Sequence, residues 1–354
     1  MNNYFQNKRL LITGGSGFIG SALIRRLNQE NNLRIFNFDK KSDSSKIVNH
    51  FDKKNTKNLC FNLNNQDEVN KAIQISDPEI IIHLAAESHV DRSIEAPQNF
   101  IESNIVGTFN LLQSATNFWR DLSIKRKTVF KFVHISTDEV FGSLGKKGKF
   151  NESSCYAPNS PYSASKAASD HLVRSWNRTY SLPTIITNCS NNYGPYQFPE
   201  KLIPLVTLKA LNEKKIPVYG RGNNIRDWLH VNDHVEAIIQ LIIKGKTGEQ
   251  YCIGGNNEKT NLQIVEKICS IMDELKPTNF KYQELIEFVE DRPGHDERYS
   301  INANKIISEV GWSPKVDFDC GLKETIVWYI NNSEWCISEL KRLNYSCERL
   351  GLIK

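Results

Sequence analysis

A chain of 354 residues, 39% hydrophobic and 24% charged, carries enough apolar content for one large core or two joined ones. No apolar run reaches the roughly 18 residues of a membrane span, and the start MNNYFQNKRLLITGG lacks the h-region of a signal peptide, so a cytoplasmic protein without membrane contact is expected. The net charge of +5 suits an anionic small molecule, whereas scattered lysines without a groove-reading motif speak against nucleic acid.

RLLIT (9–13) reads as a strand close to the start of the first domain. It runs into glycines at Gly14, Gly17 and Gly20, spaced GxxGxxG, and then into a helix at 18–29. Such a turn lets the backbone approach a pyrophosphate, and the helix N-terminus offers free N–H groups to it. The second strand, RIFNF (34–38), ends at Asp39, where an acid can hold the adenosine ribose hydroxyls. Its charge favours NAD over NADP, although Lys40 and Lys41 weaken that discrimination. A polar stretch follows at 40–58. Strands NLCFNL (58–63) and EIIIHLA (79–85) flank a helix at 66–76, and a longer helix is predicted at 99–119.

VFKFVHIS (129–136) is the next strand, and it leads into Thr137, Asp138 and Glu139. Neighbours on a continuing strand point to opposite faces. Both acids can serve one site only if the strand ends at Ser136 or Thr137 and the chain turns there. Two carboxylates in a dry site do not both ionise easily. Asp138 is expected to stay protonated and donate, and Glu139 to stay ionised and accept. The helix at 162–180 places Tyr162 and Lys166 four apart on one face. An ammonium beside a tyrosine favours its phenolate, the base form. PTIITNCS (183–190) completes the first half.

Near-continuous apolar strands alternating with helices predict an α/β fold, a doubly wound parallel sheet of the Rossmann kind over residues 1–192. After Asn192, Pro and Gly punctuate shorter elements, which reads as a smaller C-terminal α/β substrate-binding domain over 193–354. VNDHVEAIIQLIIKG (231–245) is a helix, and the segment about 225–255 is expected to return to the first domain. The eight cysteines form no CxxC pair and no His cluster has metal spacing, so reduced thiols and no metal are expected.

These stretches together resemble an extended short-chain dehydrogenase/reductase (extended SDR), and more closely the dTDP-glucose 4,6-dehydratase family. The matching segments are GGSGFIGS (14–21), HLAAESHVDRSI (83–94), STDEVFG (136–142), YSASKA (162–167), NCSNNYGPYQFPEKLIPL (188–205), YGRGNNIRDWLHVNDH (219–234), YCIGGNNEKTN (251–261), DRPGHDERYSI (291–301) and ERLGL (348–352). The resemblance implies that Tyr162 takes the proton of the carbon-4 hydroxyl while Thr137 bonds the same oxygen. Hydride passes to NAD, Glu139 takes the carbon-5 proton, Asp138 protonates the hydroxyl leaving carbon 6, and the hydride returns to carbon 6. The implied product is a 4-keto-6-deoxy sugar nucleotide, on a deoxysugar route such as that to rhamnose. The resemblance sets Phe18, Ile19, Asp39, Asn62, Leu63, Leu84, Ala85, Ala86, Ser103, Tyr162, Lys166 and Asn192 against NAD. It sets Ser88, Thr137, Asn191, Lys201, Leu202, Pro217, Tyr219, Arg226, Asn261, Arg292 and His295 around the sugar nucleotide. Arginines among these suit a diphosphate, which they can grip as a fork.

Three positions depart from the family pattern. Asn62 replaces an Asp that accepts from adenine, FDKKSDSSK lacks the usual aromatic-Ala-Gly stretch, and Ser103 replaces Thr. An epimerase or decarboxylase would keep Tyr162 and Lys166 without needing the acid pair, and a GDP-mannose dehydratase matches the later motifs less well. A protein that binds NAD without catalysis would need none of the five polar residues together. The sequence leaves the base open between dTDP and UDP. A homodimer is expected, with Phe109, Leu112, Leu172 and Trp176 on helices 99–119 and 162–180 available to pair across a two-fold axis. Packing inside one chain is the alternative for the same residues.

Overall fold

The computed structural model describes residues 4–40 and 55–342. Lys41 and the rest of the polar stretch to residue 54, Cys347 and the closing ERLGL (348–352) lie outside the described residues. The first half supplies β1 (Arg9–Thr13), β2 (Arg34–Asp39), β3 (Thr56–Cys60), β4 (Ile80–His83), β5 (Lys131–Thr137) and β6 (Thr184–Cys189). Later strands are β7 (Asn191–Tyr193), β8 (Ile216–Tyr219), β9 (Ile225–His230), β10 (Gln250–Ile253), β11 (Glu258–Thr260) and β12 (Ile286–Val289). The longer helices are α1 (Phe18–Leu27), α2 (Gln66–Ser76), α3 (Gly107–Asp121), α4 (Pro161–Tyr180), α5 (Leu202–Leu211), α6 (Val231–Lys244), α7 (Asn261–Leu275) and α8 (Phe318–Asn331).

Seven strands form one parallel sheet in the order β10-β6-β5-β4-β1-β2-β3. This is the doubly wound Rossmann fold. The apolar runs explain it: alternate residues of each central strand serve opposite layers. Leu10, Ile12, Ile80, Ile82 and Val133 pack on one face with α1 and α6, whereas Leu11, Ile81 and Phe132 pack on the other with α2 and α3. β10 pairs with β6, and α6 lies along α1, where Arg26 Nε reaches Glu236 Oε1 at 2.6 Å. A second core joins β8, α5, α7 and α8 through Val206, Val218, Ile268 and Leu322. Among the described residues no helix is long and apolar enough to cross a membrane.

Local signals set the ends of the elements that carry the site. α4 starts at a capping box, Ser160 with Ser163, followed by Pro161. β5 ends at Thr137, and Asp138–Phe141 form a single 3-10 turn. The predicted helix 99–119 is not uniform: Ile101–Val106 are π-helical and lead into α3. The apolar residues named for pairing between copies divide between the core and the surface. Leu112 is fully buried in its own core and Trp176 is 9% exposed, while Phe109 is 42% exposed.

Candidate active site

A cavity of about 360 Å³ opens over the carboxyl ends of the central strands, where parallel sheets bind ligands. One end of it is the glycine turn. Gly14 has φ +71°, and a Cβ there would lie 2.6 Å from the Ala85 backbone; a Cβ at Gly20 would collide with the Gly14 carbonyl. The turn therefore holds its shape only without side chains, and it leaves the α1 N-terminus bare toward the cavity. Asp39 closes that end and accepts from the Ser16 N–H at 3.2 Å. The residues thus fit a dinucleotide: a cradle for phosphates and an acid for ribose hydroxyls.

Of the residues expected to hold NAD, Gly14, Gly17, Phe18, Ile19, Gly20, Asp39, Asn62, Leu63, Leu84, Ala85, Ala86, Ser103, Tyr162, Lys166 and Asn192 all line this cavity. Asn62 Oδ1 accepts from the Asn64 N–H at 3.0 Å, so a local turn already uses the oxygen that replaces the family's carboxylate. Ser88, Asn191, Lys201, Thr137 and Glu139 line it too.

The strand-end turn sorts its acids by burial. Asp138 is 1% exposed and is not in the cavity wall, whereas Glu139 is half-buried and faces in. Thr137 Oγ1 donates to Asp138 Oδ1 at 3.3 Å and accepts from the Glu139 N–H at 3.2 Å, while Asp138 Oδ2 has no hydrogen-bond partner. Burial, then Glu139 and Asp227, push Asp138 well above the usual carboxylate range. Burial also raises Glu139, but Arg292, Arg226 and Lys201 oppose it. The two environments hold a proton on Asp138 more firmly, the division of labour an acid and a base require.

Lys166 Nζ donates to the Ile135 carbonyl at 2.9 Å. Burial pushes Lys166 down to about 8, against the raising effect of Asp170 and Cys189. Tyr162 goes the other way from the sequence expectation. Burial, then Glu139 and Cys189, hold its hydroxyl well above the ordinary value. In this chain alone Tyr162 is a phenol, and its base form needs further positive charge beside it.

Leu202, Pro217, Tyr219, Arg226, Asn261, Arg292 and His295 are not in the wall of this cavity. Several of them form an adjoining polar cluster. Arg292 Nη1 meets Asp91 Oδ1 at 2.8 Å, and the Tyr219 hydroxyl donates to Asp91 Oδ2 at 3.3 Å. Arg226 lies over the Tyr299 ring at 4.3 Å. Burial, then Arg292 and Arg226, push His295 down to about 4. Leu202 and Asn261 open α5 and α7, and Pro217 sits in β8.

Sequence reasoning did not single out Glu87, His89, Arg92, Gln197, Glu200 or Cys189, all in the wall, nor Asp91. Arg92 Nη2 meets Glu200 Oε2 at 2.7 Å, and Lys201 Nζ donates to the Ser88 carbonyl at 3.0 Å. These pairs clamp the segment after β4 to the loop before α5. The available signal was position: residues 84–92 follow the carboxyl end of central β4.

Comparison with known proteins agrees with this geometry. A family model described as GDP-mannose 4,6 dehydratase matches residues 11–325. A probable dTDP-glucose 4,6-dehydratase of Sinorhizobium fredii is 49% identical over 349 residues, covering 98% of this chain and 99% of that protein. The crystal structure of dTDP-glucose 4,6-dehydratase from Bacillus anthracis in complex with NAD has a TM-score of 0.80 at 43% identity, covering 93% of this chain and 99% of that one. That of the Streptomyces venezuelae dTDP-glucose 4,6-dehydratase, with NAD bound, has a TM-score of 0.83 at 38% identity and covers 94% and 99%.

Proposed function

The chain belongs to the dTDP-glucose 4,6-dehydratase family, and from that premise we propose that it is a cytoplasmic lyase converting dTDP-glucose into dTDP-4-keto-6-deoxyglucose. NAD, when bound, supplies the acceptor for the hydride of sugar carbon 4 and its donor to carbon 6. Gly14, Gly17 and Gly20 hold the pyrophosphate, and Asp39 the adenosine ribose. Tyr162 takes the proton of the carbon-4 hydroxyl, Thr137 bonds the same oxygen, and the Lys166 ammonium favours the phenolate. Glu139 removes the carbon-5 proton, and Asp138 hands its proton to the hydroxyl that leaves carbon 6 as water. Lys201, Arg226 and Arg292 grip the diphosphate, with Ser88, Asn191, Asn261, Tyr219 and His295 placing the rest of the substrate.

One observation carries this reading. A strand ends at Thr137 and turns, so that two adjacent carboxylates sit beside Tyr162, Asp138 sealed and raised well above the usual range and Glu139 raised against the opposing pull of three cations. Neither epimerisation nor decarboxylation of a sugar nucleotide needs that pair. The test is to incubate the protein with dTDP-glucose, UDP-glucose and GDP-mannose and to follow loss of one water by mass. Loss from dTDP-glucose is expected. A folded, NAD-bound sample that dehydrates none of the three would sink the reading.

We also infer a homodimer built on the face shared by α4 and the helix before it. Ile101, Val106, Phe109 and Tyr180 are 46, 41, 42 and 39% exposed, and the Phe109 and Trp176 rings lie 5.9 Å apart. Light scattering is expected to give twice the 40.6 kDa chain mass, and Phe109→Glu to give the monomer. A monomeric wild-type protein would remove this inference.

A further inference from the structure

Below the cavity floor lies a buried polar column that the proposed chemistry leaves unused. α4 places Tyr162, Lys166 and Asp170 at steps of one turn on one face. Asp170 is 1% exposed. Its Oδ2 accepts from the Tyr156 hydroxyl at 2.8 Å and from Asn188 Nδ2 at 3.0 Å. Its Oδ1 lies 3.1 Å from Nε2 of fully buried His134, without an aligned hydrogen bond. Asn188 Nδ2 also donates to the Thr137 carbonyl at 3.0 Å, so the column reaches the strand end that carries the acid pair.

Lys166 is 4% exposed, and a buried ammonium without a counter-ion is unstable. The titratable groups around the column are Tyr162 and Asp170 on its own helix, His83 on β4, His134 on β5, Cys189 on β6, Cys252 on β10, Tyr156 in the loop before α4, and Asp138 and Glu139 in the 3-10 turn. Most of them are neutral at neutral pH. Burial pushes His134 down to about 4 and His83 well below its ordinary value. Burial raises both thiols and the Tyr156 hydroxyl, and lifts Asp138 well above the usual carboxylate range. Glu139 faces Tyr162 from the cavity side. Asp170 is the acid held below its ordinary value, by His134 and Lys166 against the effect of burial.

We propose that Asp170, held in place by Tyr156 and Asn188, is a positioning residue that keeps Lys166 an ammonium in a dry site and so sets the upper pH limit of the reaction. The inference rests on the dehydratase reading, and its test has a readout that does not. In lysine-labelled NMR titrations, with Lys166→Met identifying the resonance, Lys166 of the wild type is expected to titrate at about 8. In Asp170→Asn it should titrate lower by at least about one pH unit. The alkaline limb of dTDP-glucose turnover should move down by the same interval. His134→Gln exchanges one neutral side chain for another and should leave both where they were while lowering the thermal midpoint. Equal Lys166 titration in wild type and Asp170→Asn, or an equal shift in His134→Gln, overturns the proposal. Should Asp170→Asn fail to fold, Asp170→Glu decides: it keeps the charge and must keep the wild-type alkaline limb. A wild type that titrates as stated yet turns over no sugar nucleotide would overturn the dehydratase reading instead.

Discussion

At Glu139 and Asp138, one step along the chain changes a carboxyl that faces the cavity into one that is sealed from it. Glu139 faces the cavity near three cations, and Asp138 is sealed beneath it with one oxygen unpaired. Positioned acid–base groups typically contribute 10²–10⁴-fold. Glu139→Gln is therefore expected to lower the rate of water loss by roughly 10²-fold or more. It should leave NAD retained after gel filtration, because the glycine turn and Asp39 lie at the other end of the cavity. Parallel loss of rate and retention would contradict its role. Gly14→Ala should do the reverse. Its Cβ would sit 2.6 Å from the Ala85 backbone, at a positive φ that side chains avoid. Retained NAD should fall at least about ten-fold while the fold survives, read as NAD absorbance per chain. Full retention in Gly14→Ala would show that the turn can open.

At the scale of elements, the π-helical turn Ile101–Val106 shows what the sequence could and could not say. Asn104 Oδ1 accepts from the Glu87 N–H at 2.8 Å, and its Nδ2 donates to the Glu87 carbonyl at 3.0 Å and to Ser165 Oγ at 2.8 Å. The widened turn thus ties the cavity wall after β4 to α4, the helix of Tyr162 and Lys166. Asn104→Ala leaves the half-buried N–H and C=O of Glu87 without their protein partner, at about 1–3 kcal/mol for each. A loss of about 2–4 kcal/mol is expected from denaturant midpoints at constant slope; a loss under about 0.5 kcal/mol would mean that water replaces the side chain. Nothing in ESNIV announces a π turn, because its cause lies in residues 87 and 165. The strands were legible for the opposite reason. IIIH in β4 is buried on both faces, so its composition alone carries the message. The glycine turn and the Tyr162–Lys166 spacing are local and legible as well. Arg292 on Asp91 and Arg92 on Glu200 join a short helix after β4 to segments more than a hundred residues away, and no local pattern marks such partners.

The whole molecule is bound by a core that ignores the order of the chain. One cluster runs from Phe5, Leu10 and Leu23 through Leu229, Ile238 and Tyr251 to Ile306 and Trp312. Polar contacts follow the same route: Lys131 Nζ donates to the Ile242 carbonyl at 2.7 Å, and Lys244 Nζ to the Val310 carbonyl at 3.1 Å. Chains of this length commonly unfold through intermediates, half by half. Here the nucleotide-binding sheet includes β10 and its outer layer includes α6, so neither half keeps a complete core without the other. A single calorimetric transition is therefore expected, with NAD release and loss of tryptophan signal from the second core at one midpoint. Ile238→Ala tests the coupling directly. Ile238 is fully buried in α6, and its truncation should cost about 2–5 kcal/mol. If the two halves are one cooperative unit, both signals move down together in this variant. Separation of the NAD-release and tryptophan midpoints would show instead that the returning helix and strand dock onto a sheet that is stable without them.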